Sequence, residues 1–125
     1  MSQSIDLAIS FFKAAEENPQ QFREICSPDM LAIQNGGRPM SLDTLIKFGV
    51  AVKSAVRDFR YVNAIRSETN TGFVEEHDIQ GTLPDGSALN IAVCVVAEIS
   101  EGRITHMREY LDLTAAAGLV AALSN

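Results

Sequence analysis

Glu76, Asp78 and Glu109 are the residues of this chain with the most chemical promise. Glu76 and Asp78 are two apart in a run with strand character, and side chains alternate along a strand, so both point to one face. Glu109 occupies a later strand-like run whose neighbours on the same face, Met107 and Leu111, are apolar. If the turns between these runs bring the faces together, three acids enter one apolar-lined hollow. Two close carboxyls cannot both ionise freely, and apolar surroundings favour the neutral form. A neutral acid beside an ionised one supplies a general acid and a general base. At least one of the three is then expected to keep its proton above about pH 6. The alternative arrangement sends Glu76 to solvent and pairs Glu109 with Arg108, Arg60 or Lys47 at a rim.

The elements that must hold these acids lie between Phe73 and Asp112. Three strand-like runs are separated there by Leu83-Pro84-Asp85-Gly86-Ser87 and by Ser100-Glu101-Gly102, both turn signals. Ile91, Val93 and Val95 share a face of the middle run. Upstream, Ile5, Ala8, Ile9, Phe12 and Ala15 follow helical spacing, with Ser4 as the expected cap. Asn18-Pro19 ends that helix and starts a short one to Ile25. Ser27-Pro28-Asp29 reads as a break before a short strand, Met30 to Asn35, that stops at Gly36-Gly37. Ser41 caps a third helix with apolar residues on more than one side. Phe59 to Arg66 alternates as a long strand, and Asn70-Thr71-Gly72 turns it into the next. After Asp112, an expected cap, an Ala-rich helical segment runs from Thr114 to Leu123. Helices segregated from an antiparallel sheet, with four of its strands as a meander, mean an α+β fold. Twist curls such a sheet around the three N-terminal helices as a single-domain half-barrel with a ligand-sized mouth.

The 125 residues fit one domain, and a net charge of −6 argues against nucleic-acid and anionic-membrane partners. No apolar run approaches the roughly 18 residues of a spanning helix, and no secretory signal is visible, so a cytoplasmic location is the default expectation. Two cysteines and two histidines, scattered, offer neither a disulfide framework nor a zinc spacing. Cys94, inside an apolar run, reads as a small buried hydrophobe. His77 and His106 are expected to point away from the acids.

The segment EEHDIQGTLPDGSALNIAVCVVAEISEGRITHMREYLD resembles the SnoaL-like, nuclear-transport-factor-2-like superfamily, and within it the limonene-1,2-epoxide hydrolase branch. The likeness lies in the strand lengths, the Leu-Pro-x-Gly turn, Glu-Gly before a basic residue and Ile, and the acid-Tyr-aliphatic-Asp ending. The run AIQNGG resembles that family's strand ending in Gln-Asn. The resemblance implies cofactor-free acid–base chemistry of hydrolase or isomerase type and a homodimer. It places the water-activating acid on Glu109, the proton donor on Asp78 and the water-holding amide on Asn35. Two positions depart from the pattern: Glu76 stands at the family's Arg and Ile33 at its Tyr, which implies weak turnover of limonene-type epoxides. A lining of Phe12, Ile33, Leu45, Ile91, Val93, Met107 and Leu111 implies a small apolar ligand. The rival expectation is a pocket protein that binds an apolar metabolite or a partner without catalysis.

Overall fold

A computed structural model of the chain describes residues 2–124. Helix α1 (Gln3–Glu17) is capped earlier than the spacing suggests: Ser2, not Ser4, accepts the Ile5 N–H. Its buried stripe is Ala8, Phe11, Phe12, Ala14 and Ala15. Asn18 does cap the next segment, a 3-10 turn over Pro19–Gln21 that leads into α2 (Phe22–Ile25). Phe22 stacks flat on Phe11 with centroids 4.2 Å apart and fixes the angle between these helices. Helix α3 (Leu42–Ala55) starts at Ser41 as expected, whose hydroxyl oxygen accepts the Thr44 N–H.

Six strands form one sheet: β1 (Cys26–Gln34), β2 (Met40–Ser41), β3 (Arg57–Glu68), β4 (Gly72–Thr82), β5 (Ala88–Ser100) and β6 (Arg103–Leu111), in the order β2-β1-β6-β5-β4-β3. The meander β3 to β6 is as the turn signals require, and the architecture is the expected α+β half-barrel around the helices. Two details differ. Strand β1 absorbs Ser27-Pro28-Asp29 as a register irregularity instead of starting after it. It also pairs parallel to β6, so the sheet is mixed rather than wholly antiparallel. The link between β5 and β6 is a two-residue turn with positive φ at Glu101 and Gly102, which matches the twist of the strands it joins. A final helix, α4 (Ala117–Leu123), follows a turn in which Asp112 accepts the Thr114 and Ala115 N–H groups.

The concave face of the sheet and the apolar stripes of α1 and α3 share one core, including Phe73, Ile79, Leu89, Ile91, Val95, Ala97, Ile104 and Met107. Gly72, the first residue of β4, is where backbone meets backbone. A Cβ there would lie 2.0 Å from the Ala97 carbonyl oxygen, and that oxygen belongs to a paired strand that cannot withdraw. Gly72→Ala is therefore expected to cost about 1–3 kcal/mol, read as a lowered urea midpoint. An unchanged midpoint would show that the end of β4 yields freely.

Candidate active site

Which side of β4 faces the helices decides the site. Its burial alternates with Phe73, Glu75, His77 and Ile79 inside, and Glu76, Asp78 and Gln80 outside. The expectation that Glu76 and Asp78 enter the hollow is thus overturned, as is the expectation that His77 leaves it. They do share a face, but the apolar residues that choose the inner face have the other parity: Phe73, Ile79 and, past the strand end, Leu83 are all buried. That signal is present in the sequence and points to Glu75 and His77. Outside, Glu76 and Asp78 border an open hollow on the convex face with Asn35, Asn63, Ile65, Tyr110 and Asp112. Asp78 accepts a hydrogen bond from the Asn63 amide at 2.9 Å.

Asn35 belongs to the convex side as well. Its side-chain amide donates to the Leu111 carbonyl at 3.1 Å, and its side-chain oxygen accepts the Leu111 N–H at 2.9 Å. The amide extends the β1–β6 ladder past the last regular pair, with φ of +48° at Asn35, so it is not placed to hold a water in the interior. Cys94 is half-buried on the same convex side rather than in the core. Cys26 is in the core, and burial pushes its thiol up to about 12 against the opposing charge of Arg103, which leaves it inert.

Glu109 does enter the interior. It lines a cavity of about 200 Å³ between the sheet and helices α1, α3 and α4. Of the expected lining, Phe12, Ile33, Leu45, Ile91, Met107 and Leu111 are there, joined by Phe48, Phe59, Leu119 and Leu123. Val93 is not: it is buried on the concave face, in register between His77 and Leu111, away from the cavity wall. The polar side chains on the wall are Gln34, Tyr61 and Glu109. Gln34 Nε2 donates to Glu109 Oε1 at 2.7 Å across the parallel pair that sets the two residues opposite each other.

Burial raises the pKa of Glu109, and the Gln34 hydrogen bond and the charge of His77 oppose that rise. Tyr61 is pushed well above the ordinary phenol value by burial and by the acids Glu109, Glu16 and Glu75, so it remains a neutral donor at physiological pH. Its backbone N–H is tied to Glu16 of α1 at 2.9 Å.

Behind this wall runs a second polar chain, through Glu75 and His77 on the inner face of β4. Glu75 is fully buried and forms an ion pair with the Arg66 guanidinium, while its Oε2 meets His77 Nδ1 at 2.6 Å. The His77 ring packs edge-on against Phe12 and Tyr61, centroids 4.8 and 4.6 Å away. Arg66 of β3 is an inward-facing cation. Strict alternation would put Arg66 on the face opposite to that of Tyr61, but β3 carries a bulge between Val62 and Ile65, with φ of +59° at Asn63. The extra residue inverts the parity of the rest of the strand and turns Arg66 inward, paired with Glu75. Arg60 stays outside, on the Asp58 carbonyl and Gln80.

No family model and no curated protein matches this sequence. Solved structures do. A Jannaschia sp. CCS1 protein named as a SnoaL-like polyketide cyclase superposes with a TM-score of 0.81 at 16% identity, covering 98% of this chain and 92% of its own. The BvnE pinacolase of Penicillium brevicompactum gives 0.81 at 12% identity, over 98% and 94% of the two chains. A Catenulispora acidiphila protein with a ketosteroid isomerase-like fold, solved with trimethylamine, gives 0.79 at 11% identity over 90% of each. The chain has the SnoaL-like, nuclear-transport-factor-2-like fold, the curved α+β half-barrel that these proteins share.

Proposed function

We propose that this protein is a cofactor-free enzyme that moves a proton on a small lipophilic carbonyl compound, with Glu109 as the proton carrier and Tyr61 as the donor to the carbonyl oxygen. The observation that carries this reading is a carboxyl in a cavity that is apolar apart from Gln34 and Tyr61, with one oxygen held by Gln34 and its pKa raised by burial. A raised carboxyl pKa brings the group nearer to neutrality, where it can accept and return a proton with small driving forces. As carboxylate, Glu109 takes a proton from the carbon beside the carbonyl. The electron pair moves to the carbonyl oxygen, where the Tyr61 hydroxyl stabilises the developing charge. Glu109 then returns the proton to another carbon, so the product is an isomer and nothing is consumed.

Isomerase or cyclase chemistry of this kind suits the cavity better than epoxide hydrolysis, which needs two carboxyls at one substrate. Asp78 lies on the convex face, and Glu75 is committed to Arg66 and His77. The volume is below the ~300 Å³ at which pockets for drug-sized ligands begin, which favours a compact substrate. Solved proteins of this fold include cyclases and a pinacolase, in keeping with such chemistry. The proposal extends to a homodimer through the convex face, where Ile65 and Tyr110 stay 64% and 48% exposed. Sedimentation as a monomer would remove that part.

The test is solvent exchange. A panel of small lipophilic ketones and enones is incubated with the protein in D2O, and ligand binding is measured in parallel. Deuterium entering the position beside the carbonyl is the expected result. Binding without exchange would mean a non-catalytic pocket protein.

A further inference from the structure

We propose that His77, fixed by Glu75 and Arg66, is the proton partner of Glu109, the two holding one exchangeable proton between them. This deepens the proposed role of Glu109 and rests on it. The geometry begins with Glu75. Its carboxylate can only accept, so His77 Nδ1 must carry hydrogen where the two meet at 2.6 Å. In the neutral ring that leaves Nε2 as the acceptor. Nε2 is fully buried and has no hydrogen-bond partner among the described residues. Burying a polar nitrogen without a partner costs free energy, so its presence calls for a group that meets it at some stage of function.

Glu109 is that group. Glu75, Val95 and Glu109 stand opposite one another across β4, β5 and β6, and His77, Val93 and Leu111 form the adjacent row. His77 and Glu109 therefore lie diagonally on one concave face with only valines of β5 between the rows. A positive charge on His77 would lower the pKa of Glu109. Glu109 Oε1 is taken by Gln34, and Oε2 has no protein partner among the described residues. No hydrogen bond joins the two groups and His77 is not on the cavity wall, so the proton passes between them only when an oxygen, of water or of substrate, enters between the rows.

The remaining charged groups around His77 allow this exchange. From β3 come Arg66, and Tyr61 as a neutral phenol; from β4 comes Glu75; from α1 comes Glu16, committed to the Tyr61 backbone; β5 contributes none. Arg66 and Glu75 cancel. With the proton on Glu109, His77 is neutral; with the proton on His77, Glu109 is a carboxylate. Moving it breaks an N–H bond, makes an O–H bond and leaves the cluster at zero net charge in both forms. The site can thus offer a substrate either an acid or a base without burying an unbalanced charge.

NMR of the free protein tests this with no substrate. Glutamate carboxyl carbons and histidine ring nitrogens are followed from acid to alkaline pH. The neutral His77 ring is expected as the Nδ1–H form. His77→Gln is expected to raise the Glu109 midpoint, and Glu109→Gln to lower that of His77 by the same amount, because coupling between two sites is reciprocal. Should His77→Gln fail to fold, the Glu109→Gln arm alone decides. A His77 titration unmoved by Glu109→Gln, or a ring with hydrogen on Nε2 alone, overturns the inference. Solvent exchange on substrate in a protein without this coupling would leave the proposed function standing and remove His77 from it. Coupling without any exchange would do the reverse.

Discussion

Glu109→Gln is expected to abolish proton transfer while making the protein more stable at neutral pH. General acid–base catalysis by one positioned group contributes about 10²–10⁴-fold, and Gln can neither accept nor return the proton. The cavity keeps its shape, and the Gln side-chain oxygen can still accept from Gln34. Ligand affinity should therefore hold while kcat falls, the pattern of a group that acts only in the transition state. The stability gain comes from linkage. The folded-state pKa of Glu109 lies above the ordinary 4.5. A carboxyl of that kind contributes fully to stability below its unfolded pKa, and the contribution is lost as pH rises through the folded value. The wild type thus loses stability across that window, by about 1.4 kcal/mol for each unit between the two pKa values, and the Gln variant does not. Urea melts of both proteins from pH 4 upward, beside the D2O exchange assay, measure the two effects together. Curves that stay parallel across the window would mean that Glu109 is solvated when folded, and the cavity would lose its proton carrier.

Arg66→Met should be the most damaging single change to stability. Glu75 is fully buried, and Arg66, with 27% of its side chain exposed, is its only cationic partner besides the titratable His77 among the described residues. Removing one member of a buried pair strands the other charge, at about 3–5 kcal/mol. Most domains have only about 5–15 kcal/mol in total, so the variant should melt far below the wild type. The cost lies in the orphaned charge rather than in lost packing, since Met fills much of the space of the Arg stem. Adding Glu75→Gln to Arg66→Met should therefore restore more than half of the loss, although it deletes a further ionic group. A double variant no more stable than Arg66→Met would show that the guanidinium acts through its packing, and the balanced ion cluster would lose its role in stability.

Much of the molecule is set by local pattern. The stripes of α1 and α3, the Asn18-Pro19 junction, the Ser41 cap and the two turns flanking β5 are short-range features. Each depends on residues within about one helical turn or one hairpin of each other. The inward placement of Glu109 is of the same kind, because Met107 and Leu111 share its parity and leave little choice of face. The β4 strand offers similar evidence, but acids occupy both of its faces. There Phe73, Ile79 and Leu83 have to outweigh the attraction of Glu76 and Asp78 as a functional pair, and burial of three apolar side chains is the stronger term.

Other features lie beyond any local reading. The bulge at Asn63 depends on how β3 meets β4, and one extra residue moves Arg66 from the outer face to the inner. Asn tolerates the positive φ this requires, but nothing in the residues around it demands a bulge there. The parallel docking of β1 on β6 places Gln34 against Glu109 and spends Asn35 on the Leu111 backbone, across a separation of 75 residues for the first pair. Local sequence determined the elements and the face of each unambiguous strand. Tertiary structure decided which acids meet which cation, because one-residue shifts in register exchange the two faces of a strand, and register is set by partners distant in the chain.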